Sequence, residues 1–269
     1  MKSLILDGNS LTIDDVSYAS GHPVPVSFSP ASRKRMLASR RVVDEWVRKG
    51  EIVYGVTTGF GEFSNVTIDS ADIEKLQENL IMSHSAGAGP PLPLEVVRAM
   101  MLLRMNALAK GFSGIRPETM EFLRSFFNSG VAPVIPSRGS VGSSGDLVQL
   151  SHLVLTMMGK GKVVFRRNIM TAAAALKELN MKPLKLAAKE GLALINGTQM
   201  MTAFAALVVA EAVRLSKLAD IAAAMSVEAL KGSDTAFDPR IQNLRPHRGQ
   251  RECAANLRAL MAKSEIRES

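Results

Sequence analysis

Serine and glycine residues are concentrated in one stretch of the chain, Gly139–Ser151, where reactive hydroxyl groups stand on a pliable backbone. Six of its first seven residues are serine or glycine, whereas its flanks are strongly apolar. Pro133 and Pro136 precede it, and an apolar helical pattern begins directly after it. A cluster of this kind is typical of a flexible turn when it stands alone. A role in chemistry therefore depends on what else the chain contains.

Tyr54 introduces a second unusual stretch, residues 52–67, which contains three glycines and no helical period. Its Gly59 and Gly61 lack the third glycine of a dinucleotide-binding loop, and no strand–helix unit surrounds them. We therefore exclude a phosphate-binding loop here. Taken alone, a tyrosine packed by its ring is an ordinary structural residue. The same holds for a lone histidine in a helical pattern, such as His84.

The composition is that of a globular protein that can bury a sizeable core. The chain has 269 residues, of which 46% are hydrophobic and 22% are charged, while aromatic residues make up only 5%. Alanine and leucine are abundant, and this mixture favours helices over sheets. The single cysteine, Cys253, excludes an internal disulfide bond and fits a reducing compartment. We therefore expect a cytoplasmic protein.

Charge and hydropathy argue against two classes of partner. The net charge is +8, but the basic residues are scattered and do not alternate with aromatic residues. We therefore expect a solvated basic surface and no nucleic acid partner. The uncharged stretch Gly191–Ala210 reaches the length of about 18 residues that a membrane span needs. Its polar segment Asn196–Gln199 would lie at mid-membrane depth, so we expect no membrane partner.

Helical spacing and capping signals predict a mainly α fold, with minor β pieces near the start and around residue 163. The clearest helix has Ser29 as its N-cap, Pro30 at its first position and Gly50 as its stop. Further helical patterns cover residues 71–85, 94–110, 117–129, 146–158, 172–179 and 199–231, and another begins at 256.

The predicted domain organisation has two parts. Residues 1–198 form an N-terminal domain that carries the serine and glycine loop, and Ser144 or Asp146 caps the helix after that loop. Residues 199–269 form the incomplete beginning of a helical bundle, because the helix at 199–231 is apolar on more than one face. Between them, Lys189–Thr198 is expected to be an apolar run with a loop on either side.

Four stretches taken together resemble the aromatic amino acid ammonia-lyases, and among them those that act on histidine. In sequence order they are Tyr54–Gly61, Leu76–His84, Gly139–Leu150 and Gly191–Gln199. Two more segments, Leu6–Thr12 and Arg245–Gln250, resemble the same family, so the resemblance covers the whole chain. It implies an N-terminal lyase domain joined to the start of a long-helix bundle.

The resemblance implies that the central loop forms its own electrophile, 4-methylidene-imidazol-5-one, from Ser143, Ser144 and Gly145. The amide nitrogen of Gly145 attacks the carbonyl of Ser143, which needs a tight backbone approach that glycine permits. Ser144 then loses its hydroxyl group. No metal and no nucleotide is implied. The family pattern has alanine or cysteine at the position of Ser143 and proline at the position of Gln149, so this chain departs from it twice.

The same resemblance assigns roles to four further residues. Tyr54 matches the catalytic tyrosine, which removes the β-proton of the substrate or acts on its amino group. Asn196 matches the asparagine that hydrogen-bonds the carbonyl of the ring. His84 matches a position that selects the substrate side chain, and Gly61 matches backbone near the substrate. The implied reaction is elimination of ammonia from L-histidine to give urocanate, a step in the breakdown of histidine.

Family members are considerably longer than this chain. The part that follows residue 269 in them supplies a second tyrosine loop and the arginine that pairs with the substrate carboxylate. We therefore expect this chain to be a truncated or split N-terminal half, nearly inactive alone, which works with a C-terminal half in a homotetramer.

Three alternatives stay open. In the first, the substrate is tyrosine or phenylalanine. In the second, the enzyme is an aminomutase that returns ammonia to the β-carbon. A third alternative is a non-catalytic lyase-like subunit whose loop does not cyclise, which the departures at Ser143 and Gln149 favour. An intact mass distinguishes that subunit, because ring formation removes two water molecules.

Overall fold

The structure is a computed structural model that describes residues 3–59, 72–142 and 145–268. Three of the predicted site residues, Gly61, Ser143 and Ser144, lie outside the described residues. The chain divides into two compact units, Met1–Leu207 and Val208–Ser269, with the boundary inside a long helix. The predicted division after residue 198 stays a prediction.

The first unit is mainly helical, which confirms the predicted fold class. Its elements are β1 (Leu4–Leu6), α1 (Ile13–Gly21), β2 (Val26–Phe28), α2 (Pro30–Lys49), α3 (Ile73–His84), β3 (Ala88–Pro91), α4 (Leu94–Ala109), α5 (Pro117–Asn128), β4 (Ala132–Pro133), β5 (Pro136–Arg138), α6 (Leu147–Met157), β6 (Lys162–Phe165), β7 (Asn168–Thr171), α7 (Ala172–Glu178), α8 (Glu190–Ile195) and the start of α9 (Gln199–Ala229).

Local capping signals set the ends of the early helices. Ser29 caps α2 by accepting a hydrogen bond from the backbone N–H of Ser32 at 3.1 Å, and Pro30 occupies the first helical position. Gly50 ends α2 in the left-handed conformation with φ 65°. Thr12 and Asp15 form a capping box at the start of α1. The predicted ends of α2 are confirmed.

Helix α4 forms the centre of the core of the first unit. It packs against α1, α2 and α5, and the largest fully buried side chains along it are Met100, Met101, Leu102, Met105 and Leu108. Phe126 and Phe127 of α5 are buried in the same cluster. Removal of this apolar surface from water is the main stabilising term for such a helix. A single charged side chain in the middle of α4, Arg104, is buried with them.

Three small sheets connect the helices. β1 and β2 are parallel, and β4, β6 and β7 form an antiparallel sheet, as the sequence predicted near the start and around residue 163. The antiparallel pair of β3 and β5 was not predicted, because Ala88–Pro91 contains mainly glycine and proline. In this pair Ala88 lies opposite Arg138, so the segment after α3 runs beside the start of the serine and glycine loop.

The structure adds to the sequence-based expectation at one place and differs from it at another. The apolar run within Lys189–Thr198 forms a helix, α8, because tertiary hydrogen bonds to its first turn stabilise a segment too short to show a helical period. Of the two predicted caps of α6, Ser144 lies outside the described residues, and Asp146 is the residue before α6 but its side chain does not cap that helix. Its carboxylate instead accepts a hydrogen bond from the backbone N–H of Met201 at 3.0 Å.

The second unit contains the rest of α9, α10 (Pro239–Leu244), α11 (Arg248–Leu260) and α12 (Glu265–Glu268). α11 begins eight residues earlier than the predicted start at 256. A small apolar cluster of Ala224, Leu257 and Met261 holds this unit together.

Helix α9 exposes apolar side chains along its length, as expected for a helix that is apolar on several faces. The exposed ones include Val208, Val209, Val213, Leu215, Leu218, Ile221 and Met225. Among the described residues, one helical segment, Glu190–Ala229, is long and apolar enough to cross a membrane by length and composition alone. Residues 196–198 interrupt it, since α8 ends at Ile195 and α9 begins at Gln199.

Candidate active site

Asn196 lies at the C-terminal end of α8, in the short turn that leads into α9. Its backbone N–H donates to the carbonyl of Leu192 at 3.0 Å, and its own carbonyl accepts from Nη2 of Arg104 at 3.0 Å. The residue is exposed. Its backbone is thus held on the protein side while its side chain is accessible to a ligand.

A buried carboxylate fixes the start of α8. Glu190 is 0% exposed and accepts hydrogen bonds from the backbone N–H groups of Arg116 and Ala187, at 3.0 and 2.9 Å, and from Thr119 Oγ1 at 2.7 Å. It also forms a salt bridge of 2.6 Å with the Arg116 guanidinium. Burial lowers the pKa of Arg116, but the hydrogen bond and charge of Glu190 outweigh it and raise that pKa above its usual value. The buried charge is therefore both paired and hydrogen-bonded.

Helix α3, which carries His84, is attached directly to α8. The side-chain oxygen of Gln77 accepts a hydrogen bond from the backbone N–H of Gly191 at 2.9 Å in the buried contact between the two helices. A Cβ atom at Gly191 would lie 2.9 Å from that oxygen, so glycine allows this approach. α3 and α8 both pack against α6, which follows the serine and glycine loop.

His84 is half-buried in the last turn of α3, and one of its ring nitrogens is engaged. Nδ1 lies 2.9 Å from the carbonyl oxygen of Leu80 and 3.1 Å from Ser83 Oγ. A carbonyl oxygen only accepts hydrogen bonds, so the neutral ring carries its hydrogen on Nδ1. Nε2 is then the acceptor, and it is the atom with which His84 can meet a donor group of a substrate.

His152 of α6 fixes the segment that follows His84. The backbone N–H of Gly87 donates to His152 Nε2 at 3.1 Å. Burial lowers the pKa of His152 from 6.5, which favours the neutral ring that can accept this bond. Gly87 has no room for a side chain, since a Cβ atom would lie 2.9 Å from Nε2.

The described end of the serine and glycine loop is held against the turn after Asn196. The N–H of Asp146 donates to the carbonyl of Gly197 at 2.6 Å, and Ser140 Oγ donates to the carbonyl of Gly145 at 2.7 Å. Gly145 has φ +94°, and a Cβ atom on it would overlap the carbonyl group of Gly197. Two independent constraints therefore require glycine at 145.

Gln149, at the position where the resemblance predicts proline, is the third residue of α6 and is buried. Its Nε2 lies 3.5 and 3.4 Å from the carbonyl oxygens of Pro136 and Ser137, at the long limit of hydrogen bonding. Its side-chain oxygen has no partner among the described residues. The side chain thus lies against the segment that leads into the loop.

Tyr54 lies on a tight turn and is 58% exposed. Thr57 closes this turn, since its Oγ1 accepts from the N–H of Val53 at 2.9 Å and donates to the carbonyl of Glu51 at 2.5 Å. Val53 and Val56, on either side of Tyr54, pack in a cluster with Ala188, two residues before α8. The turn is therefore attached to the segment that leads to Asn196.

Arg104 lies near the site and was not among the residues predicted from the sequence. It is 4% exposed, and its guanidinium donates to the carbonyls of Ala193 and Asn196 and, at 2.7 Å, to Gln199 Oε1. Burial lowers its pKa to about 10, so it stays charged at neutral pH. Its signal in the sequence was an arginine within the apolar pattern of α4, a helix that also contains Arg98. Its partners, about ninety residues away along the chain, could not be read from that pattern.

The structure thus brings Gly145 and the turn after Asn196 into contact, and it places Tyr54 and His84 on separate segments that pack towards α8. A cavity of about 230 Å³ lies beside Asn196 and is lined by Arg104 and Lys189, among others. Within the described ranges, no group of three or more His, Cys, Asp or Glu residues could hold a metal ion. Glycine at 145 fits the ring expected there, because the backbone contact leaves no room for a side chain.

Comparisons with known proteins agree with these features. A family model described as aromatic amino acid lyase matches residues 11–269. Histidine ammonia-lyase of Gloeobacter violaceus is 51% identical over 263 residues, which cover 98% of this chain and 51% of the relative. Histidine ammonia-lyase of Caldanaerobacter subterraneus subsp. tengcongensis is 49% identical over 266 residues, which cover 99% of this chain and 52% of the relative.

Solved structures show the same fold. Histidine ammonia-lyase from Trypanosoma cruzi has a TM-score of 0.90 at 43% identity, covering 96% of this chain and 50% of that one. Tyrosine aminomutase from Streptomyces globisporus has a TM-score of 0.91 at 38% identity, covering 97% of this chain and 49% of that one. The chain spans about half the length of the relatives it matches. The chain belongs to the aromatic amino acid lyase family.

Proposed function

We propose that this chain is the N-terminal half of an ammonia-lyase that eliminates ammonia from L-histidine to give urocanate. The electrophile is 4-methylidene-imidazol-5-one, formed from Ser143, Ser144 and Gly145. The observation that carries the proposal is the contact of Gly145 with Gly197, which requires glycine at the ring position and lies directly beside Asn196. The similarity to histidine ammonia-lyases at about half identity supports histidine as the substrate.

When formed, the ring supplies an electrophilic carbon that turns the amino group of the substrate into a leaving group. Asn196 presents its exposed side chain as a hydrogen-bond donor to the ring carbonyl, and its backbone is already fixed by Arg104. Negative charge that develops during the reaction is stabilised best by donors that need not reorganise.

Tyr54 is the group that removes the β-proton or acts on the amino group. A neutral phenol is a weak base, so this step needs a positive field at its oxygen, which helix N-termini that point at the site can provide. His84 selects the substrate side chain, because its Nε2 can accept a hydrogen bond from the imidazole N–H of histidine. Gly61 contributes backbone near the substrate.

The chain works with a C-terminal half of the same lyase, in a homotetramer, in the cytoplasm. Two observations support a covering partner: the relatives are about twice as long, and α9 exposes large apolar side chains such as Val208, which is 63% exposed. Soluble proteins rarely leave such a surface uncovered. We propose no nucleic acid partner and no membrane partner, and we propose that α9 packs in a helical bundle.

The test combines an intact mass with an activity assay. The chain isolated from cells is expected to weigh less than its sequence by two water molecules. Urocanate, measured by its ultraviolet absorbance, is expected only after the C-terminal half of a related histidine ammonia-lyase is added. A chain at its full sequence mass would contradict ring formation, and full activity of the chain alone would contradict the need for a second half.

A second candidate is an aminomutase, or a lyase for tyrosine or phenylalanine. The similarity to tyrosine aminomutase from S. globisporus, with a TM-score of 0.91, favours it. Product analysis with histidine, tyrosine and phenylalanine distinguishes these activities, since an aminomutase yields a β-amino acid. The non-catalytic subunit remains the third candidate, and a full sequence mass would favour it.

A further inference from the structure

We propose that Arg104 is a positioning residue for ring formation: it fixes the turn at residues 196–198 and, through Gly197, the backbone of Gly145. The inference rests on the proposed function, because it concerns the formation of the same ring. Arg104 contacts neither the substrate nor the reacting atoms among its described partners. Its effect passes through the backbone of one turn.

Arg104 fixes the turn at residues 196–198 through its hydrogen bonds. Its guanidinium bridges the carbonyls of Ala193 and Asn196, at the end of α8, and the side chain of Gln199, at the start of α9. Because the guanidinium is planar and 4% exposed, its hydrogen bonds define one geometry for the chain on both sides of the turn. A lysine at the same position could not span these three acceptors.

Gly197 lies in close contact with the guanidinium of Arg104. A Cβ atom at Gly197 would overlap Arg104 Nη1 and Gln199 Oε1, so the backbone of Gly197 lies directly on this pair. On its other side, the carbonyl of Gly197 lies against Gly145 and accepts the N–H of Asp146 at 2.6 Å. Gly197 is thus packed between Arg104 and Gly145, and a shift of the guanidinium displaces the carbonyl that holds the loop.

Ring formation requires the reacting backbone atoms to approach each other at a defined distance and angle. Ring closure forms a bond between the nitrogen of Gly145 and the carbonyl carbon of Ser143. The carbonyl oxygen leaves as water with the N–H hydrogens of Gly145 and Ser144, and a double bond forms between that carbon and the nitrogen of Ser144. A second water forms when Ser144 loses its Cα hydrogen and its hydroxyl group. No oxidant or other reactant is needed. An intramolecular attack of this kind depends steeply on the distance and direction of approach, and a misplacement of about 1 Å can slow it roughly hundredfold.

Arg98, in the same helix α4, offers a matched control. It also donates to three backbone carbonyls, those of Ala19, Ser20 and His22, at 3.2 to 3.3 Å. These acceptors belong to the end of α1 and the residue after it, and not to the turn that carries Asn196. Arg98→Lys therefore removes a comparable guanidinium bridge from the same helix without touching Gly197.

The experiment follows the intact mass of the chain during cell-free synthesis, for the wild type, Arg104→Lys and Arg98→Lys. We expect the wild type and Arg98→Lys to lose two water molecules at similar rates, and Arg104→Lys to lose them up to about a hundredfold more slowly. Hydrogen exchange of the peptide that covers residues 190–201 is measured in parallel. It should be faster in Arg104→Lys than in Arg98→Lys.

The possible outcomes separate the two proposals. If Arg104→Lys loses water at the wild-type rate although hydrogen exchange shows a loosened turn, the positioning role is overturned. The proposal that the ring forms is then unaffected. A wild-type chain that keeps its full mass would overturn ring formation and, with it, this inference. If Arg104→Lys does not fold, Gln199→Ala takes its place, since it removes the side-chain partner of Arg104 and keeps the arginine. Slower water loss in Gln199→Ala would support the role, and an unchanged rate would overturn it.

Discussion

The buried carboxylate of Glu190 should be one of the largest single contributors to the stability of the site, and Glu190→Gln tests this. The substitution keeps the size of the side chain but removes its charge and replaces one acceptor oxygen with a donor. The carboxylate accepts five hydrogen bonds, three of them from Arg116 and the others from Thr119 and Ala187. A glutamine amide leaves the donors on one side of this site without an acceptor.

The magnitude follows from burial. Removal of one partner from a buried ion pair costs about 3–5 kcal/mol. Arg116 is 33% exposed, so water can take over part of its hydrogen bonding, and we expect the lower end, about 3 kcal/mol. Against a total stability of roughly 5–15 kcal/mol this is a large loss. It corresponds to a fall in Tm of about 6–12 °C for a unit of this size.

Urea denaturation of the purified chain, with the midpoint and the m-value measured separately, gives the change in the free energy of unfolding. Glu121→Gln in α5 is the control, because Glu121 also pairs with two arginines, Arg124 and Arg33, but is about a third exposed. An exposed pair contributes about 1 kcal/mol or less. A loss in Glu190→Gln that is no larger than that in Glu121→Gln would refute the reasoning that this charge is buried and structurally required.

Two further predictions concern the loop and its surroundings. Gly145→Ala should prevent the loss of two water molecules and destabilise the chain, because its φ of +94° and the carbonyl of Gly197 both exclude a side chain; an intact mass and a melting curve check this. His152 should make stability fall as the pH drops below 6.5, because burial lowers its pKa and the unfolded chain then binds the proton more readily. Melting temperatures between about pH 7.5 and about pH 5 should fall more in the wild type than in His152→Gln, whose side-chain oxygen can still accept the Gly87 N–H. An equal fall in both would contradict the role of His152.

Local signals predicted the elements whose ends are fixed by neighbours in the chain. Ser29, Pro30 and Gly50 set the ends of α2 within a few residues of themselves, so the sequence identified both ends. α8 was missed because its six residues are too short for a helical period, and its first turn depends on Glu190, whose partners Arg116 and Thr119 lie more than seventy residues away. The formation of α8 therefore depends on tertiary contacts, which a short window of sequence does not show.

In the candidate site, too, the sequence indicated some residues and not the ones that fix their backbone. Tyr54, His84 and Asn196 were predicted as site residues because the stretches that contain them resemble the ammonia-lyases, and these assignments stay predictions. Arg104 was not found, because its type predicts a surface position, whereas its partners are backbone carbonyls that could belong to any residue type. Backbone acceptors leave no signature in a sequence, so a residue that works through them is found only in the folded chain.

The described contacts around Gly145 also indicate which parts of the protein ring formation requires and which parts elimination requires. Ser140, Gly197 and Met201 bind this end of the loop, and Arg104 supports Gly197; all lie within the first unit, Met1–Leu207. In the proposed function, formation of the ring is an intramolecular step, so these residues can prepare it without the proposed C-terminal half. Elimination differs, because an arginine for the substrate carboxylate and a cover for the exposed Asn196 are expected from the C-terminal half. Under the proposed function we therefore expect a chain that loses two water molecules and yet makes no urocanate alone.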